Sequence, residues 1–115
     1  MAVIETGENQ TKLVLQTHYY KASYEQIKEV YLAILEELGH NVVSVNDDYT
    51  EVYSEIPHME VIAKIIMQDP KETSIDFYIN ADFLIGAAGK AYKFIETIYS
   101  KIEQKYEFKG VSLHK

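Results

Sequence analysis

The chain's 115 residues hold eighteen acidic side chains against eleven basic ones, every cation is a lysine, and the formal net charge is −7. An acidic chain without the bidentate arginine fork lacks the electrostatic footprint of a nucleic-acid binder or of a protein that adheres to anionic membranes. The absence of cysteine excludes disulfides, thiolate metal sites and cysteine nucleophiles, and the length is that of one domain.

Residues 1–10 are polar, with neither a basic nor an apolar targeting segment, and read as a flexible N-terminal arm on a single α+β domain spanning 11–115. Thr11 to Tyr20 alternates as a strand, with Leu13, Leu15, Thr17 and Tyr19 on one face. Ser23 followed three residues later by Gln26 is a capping box. Behind it Tyr24, Ile27, Tyr31, Ile34, Leu35 and Leu38 recur at helical spacing up to Gly39, a C-terminal stop.

Four strands follow, over Asn41 to Val45, Tyr49 to Ile56, His58 to Gln68 and Thr73 to Asn80. Their connections, Asp47-Asp48, Pro57 and Asp69-Pro70-Lys71-Glu72, are short enough to demand an antiparallel meander. Asp82 offers the N-cap of a last helix whose apolar stripe is Leu84, Ala88, Ala91, Ile95, Ile98 and Ile102. Phe108 to Leu113 adds a short final strand. The expected fold is therefore α+β, in the order β-α-β-β-β-β-α with an optional terminal β. It has a four- to five-stranded antiparallel sheet with two helices on one face. As an order of elements it resembles the TATA-binding-protein-like and helix-grip folds, which implies a curved sheet packed on a long C-terminal helix.

Gly86-Ala87-Ala88-Gly89-Lys90 suggests a phosphate loop, but the glycine spacing is too short and Ala91 stands where a magnesium-binding hydroxyl belongs. With the cap at Asp82, Gly86 and Gly89 fall inside the helix, where close backbone approach is the expected reason for them. Tyrosine is over-used, with ten against four phenylalanines and no tryptophan. Tyr92, Tyr99 and Tyr106 recur every seven residues along the last helix and edge its stripe, facing core, cavity or interface.

In the third meander strand Met59, Val61, Ala63, Ile65 and Met67 fill one face, while Ile62 and Ile66 sit beside Glu60 and Lys64 on the other. A strand apolar on both faces calls for cover on both, and a second copy of the chain is the simple cover. His18, His40, His58 and His114 are scattered, and His58 with Glu60 falls short of a metal set. There is no nucleophile elbow or EF-hand loop.

These readings give a cytoplasmic, non-enzymatic interaction module that forms a homodimer through Ile62, Ile66, Tyr78 and Tyr53. No catalytic residue, metal or cofactor is assigned. The second reading is a small-molecule binder with a cavity between sheet and last helix, lined by Tyr92, Tyr99, Phe94, Gly86 and Gly89.

Overall fold

The computed structural model describes residues 2–82 and 86–113. Seven strands form one antiparallel sheet, and two helices cover one of its faces, an α+β fold. The strands are β1 (Ala2–Glu5), β2 (His18–Lys21), β3 (Asn41–Asn46), β4 (Glu51–Ile56), β5 (Met59–Asp69), β6 (Glu72–Ala81) and β7 (Glu107–Val111). Helix α1 spans Tyr24–Glu37 and α2 spans Ala87–Glu103. Across the sheet the order is β3-β4-β5-β6-β2-β7, with β1 also paired to β6. None of the described helices is long and apolar enough to cross a membrane.

The meander, α1 and the body of α2 fall where their spacing put them. Ser23 accepts the Gln26 amide while the Gln26 side chain accepts the Ser23 amide, and α1 closes at Gly39 with φ +77°. Strand alternation buries Val61, Ala63 and Ile65 of β5 and Ile75, Phe77 and Ile79 of β6. They meet Ile27, Tyr31, Ile34 and Leu35 of α1 and Ala91, Ile95, Ile98 and Ile102 of α2 in one core. Met67 continues the buried set in sequence but is 56 % exposed near the end of β5.

The N-terminal third departs from the sequence reading. Ala2–Glu5, taken for an arm, is β1, paired with Tyr78 to Ala81 of β6. Thr11 to Tyr20, expected as one strand, supplies only His18, Tyr19 and Tyr20 of the four-residue β2. Leu13–Leu15 winds into a single 3-10 turn instead. The reason is a shared seat. β1 occupies one end of β6, β2 occupies the other at Thr73 to Ile75, and both run in the same direction. The chain leaves the sheet after Thr6, makes an eleven-residue excursion (7–17) and returns one step further along. A Gly7–Gln16 bridge closes its base.

The second departure concerns α2. Its first described residue is Ala87, with Gly86 as N-cap at φ +85°, so Gly86 precedes the helix and Gly89 alone lies inside it, in the first turn. Asp82 is not the cap; its carboxylate lies 2.9 Å from His58 Nδ1. A Cβ at either Gly86 or Gly89 would meet nothing within 4 Å, so close packing is not what these glycines provide. Leu84 and His114 lie outside the described residues.

Candidate functional site

Two surfaces carry the residues of interest, the outside of the sheet and the flank of α2. On the helix-free face, Tyr53, Ile62 and Tyr78 stand side by side across β4, β5 and β6 in direct register. Mutual packing leaves Tyr53 and Ile62 half-buried and Tyr78 exposed. Ile66 lies outside this row, opposite Ser74. The next row on one side is Glu55, Glu60 and Asn80; on the other it is Glu51, Lys64 and Asp76. The apolar row is thus one residue wide, with carboxylates on both flanks.

The two edges of the sheet differ. β7 shows solvent Glu107, Phe108 and Lys109. β3 is Asn-Val-Val-Ser-Val-Asn, exposed at all six positions and without a charge. Edge strands with no charge and no proline present an unprotected row of backbone donors and acceptors. A bulge at Val43 interrupts the inner pairing of β3 with β4.

At Asp76, in the row that carries Glu51 and Lys64, the interrupted strand seat creates a polar knot. The Thr6 and Thr17 hydroxyls, one on each side of the excursion, both donate to Asp76 Oδ1, at 2.6 and 2.8 Å. Thr6 Oγ1 also accepts the Phe77 amide at 2.8 Å. Two hydroxyls, a carboxylate oxygen and a backbone amide at the strand break are satisfied this way.

Beside the break the 3-10 turn leans over the C-terminal half of α2, and an open groove of about 580 Å³ runs between them. Its wall is an aromatic stack. The His18 ring lies flat on Tyr99, with centroids 3.4 Å apart and planes 4° apart, and Phe108 leans on His18 at 4.9 Å. Leu13, Val14 and Val111 complete the apolar lining; Glu96, Ser100 and Glu103 of α2 form the polar rim.

Behind the stack Tyr20, fully buried, donates its hydroxyl to Glu103 Oε2 at 2.9 Å and lies 3.2 Å from His18 Nδ1. Burial lowers the His18 imidazole from 6.5 to about 4, outweighing its hydrogen bond to the Leu13 carbonyl. The 3.7 Å contact with Glu103 is therefore not an ion pair at neutral pH. Burial, reinforced by the Glu103 carboxylate, pushes the Tyr20 phenol well above its usual range. A phenol held so firmly protonated is a poor proton donor, and a histidine held neutral far below pH 7 is a poor acid. The cluster orders the wall of the groove.

The residues assigned from the sequence do not converge on one cavity. Tyr99 is buried against Phe77 and gives the groove its wall. Phe94 is buried between Phe77 and His40. Tyr92 is half-buried with Lys12 over its ring, Tyr106 is half-buried against the core, and Gly86 and Gly89 are exposed at the other end of α2. Of the regular tyrosine row, the middle member faces core and the outer two edge it. Sequence reasoning missed His18, Tyr20 and Glu103. The first two share a strand face at i, i+2, but Glu103 meets them across 83 positions with no periodic signal. Among the described residues no three His, Asp or Glu side chains are grouped to hold a metal ion. No protein-family model, curated protein or solved structure matches the chain.

Proposed function

We propose that the protein is a cytoplasmic, self-associating interaction module that works by contact, and that its contact is the β3 edge. The observation that supports this is the full exposure of an uncharged, valine-rich edge strand, with Val43 51 % and Val45 41 % exposed, in a chain that carries Glu107 and Lys109 at the opposite edge. Two copies related by a two-fold axis pair β3 with β3 antiparallel. Around the axis one residue of the strand faces its own copy, and since none of the six residues is charged no like charges are brought together.

Charge favours this edge over the helix-free face. Stacking Tyr53, Ile62 and Tyr78 against their copies would bring Glu51, Glu55, Glu60 and Asp76 toward a second acidic set, with Lys64 the one cation in those rows. β3 brings no charge to the contact.

Light scattering at ~100 μM, where even a weak contact of Kd ~10 μM is mostly formed, tests the reading. The expected mass is twice 13.3 kDa. The edge variant V43K/V45K restores the single-chain mass, while I62K on the face leaves the dimer intact. A wild-type chain at the single-chain mass refutes self-association. Dissociation by I62K but not by V43K/V45K refutes the edge.

A further inference from the structure

We propose that the groove between the 3-10 turn, β7 and the C-terminal half of α2 binds a small organic cation, an amine carried on a flat or aliphatic body. The β3 edge lies across the whole sheet from β7, so this site stands independently of self-association.

Three features set the ligand class. The groove's volume, about 580 Å³, falls within the range of small-molecule sites. Its wall is mostly apolar and aromatic, with Phe108 39 % and Leu13 73 % exposed at its lip, and large apolar side chains left open to solvent together mark a binding surface. Its charge is of one sign. Glu96 and Glu103 sit two helical turns apart on the rim, and the lining includes no lysine. His18, neutral at physiological pH, adds no positive charge.

An acidic rim beside an open aromatic ring attracts a cation twice, through the carboxylates and through the negative ring face of Phe108, which stays 39 % exposed. The same rim repels a carboxylate or phosphate ligand. Glu103 is held in place for this role, because the buried Tyr20 hydroxyl fixes Oε2 while the side chain stays about a third exposed. A preorganised carboxylate costs less ordering when the ligand arrives.

Tryptamine and its anionic counterpart indole-3-acetate, titrated into labelled protein and followed by amide chemical shifts, test the inference. Tryptamine is expected to shift the amides of Leu13, Val14, Phe108 and Gly110 with a Kd of ~1 mM or tighter, as its size allows. Indole-3-acetate is expected to bind at least ~10-fold more weakly. E96Q/E103Q, which keeps an oxygen to accept from Tyr20, is expected to lose ~10-fold in tryptamine affinity, with a dispersed spectrum showing that it folds. Equal binding of amine and acid, unchanged affinity in E96Q/E103Q, shifts confined to another surface, or no binding of tryptamine at 5 mM each overturns it.

Discussion

His18 makes stability depend on pH in a window where few other groups titrate. In the folded chain its imidazole is lowered to about 4 by burial; in the unfolded chain it returns to 6.5. Above 6.5 both states are neutral and His18 contributes no pH dependence. As pH falls from 6.5 toward 4 the unfolded chain takes up a proton that the folded chain refuses, so the fold loses stability throughout that window. Integrated from pH 7.5 to pH 5, the two values give about 2 kcal/mol, approaching about 3 kcal/mol near pH 4. His18→Phe keeps a flat ring on Tyr99 and removes the titrating group. Urea unfolding of both proteins at pH 7.5, 6 and 5 isolates the effect, because His40 and the carboxylates are common to both. Loss of the hydrogen bond to Leu13 displaces the variant by a constant amount. The wild-type curve is expected to fall more steeply, so that the gap between the proteins changes by about 2 kcal/mol between the extremes. Parallel curves would refute the burial argument and return His18 to a solvated, ordinary state.

Gly86→Ala and Gly89→Ala are expected to move stability in opposite directions. Alanine at φ +85° costs about 1 kcal/mol, whereas alanine at Gly89, in the first turn of α2 with open space around it, contributes about 0.5–1 kcal/mol. Thermal unfolding should show the two melting points on either side of wild type, roughly 3–5 °C away; shifts of the same sign would contradict the assigned start of α2. Thr17→Val removes a buried donor from the Asp76 carboxylate and is expected to cost about 2 kcal/mol in urea unfolding. A change below about 0.5 kcal/mol would mean that Thr6 alone satisfies Asp76.

The meander and α1 were legible because their signals are local. Alternation, a capping box and short turns act within a few residues, and β3 to β6 and α1 follow them closely. The N-terminal third was not legible because its structure is decided by β6, some sixty positions away. Leu13, Val14 and Leu15 have a sequence that suits a strand, and the strand reading fails only because β1 and β2 already occupy the length of β6 between them. The threonines that mark the exit and re-entry look like ordinary strand residues until Asp76 is set between them. The groove follows from the same event, since its wall is the turn that the excursion places over α2.

Part of the cover for the second apolar face of β5 comes from within the chain. Ile62 is half-buried by its own cross-strand neighbours, Tyr53 and Tyr78, in a single row. Neighbouring aromatic and β-branched residues on one sheet face shield each other without a second layer, each pair contributing some tenths of a kcal/mol. What such packing does not supply is an account of β3, whose three valines have no cross-strand partner on their outer side. A face can shield itself, because its side chains pack along the surface. An edge cannot, because its open valence is the backbone, and another strand, a charge, a proline or a bulge is what answers it. β7 has Lys109, paired with Glu72, and Glu107, paired with Lys21. β3 has only the bulge at Val43, and that asymmetry, more than the total of exposed apolar residues, is what supports the proposed contact at β3.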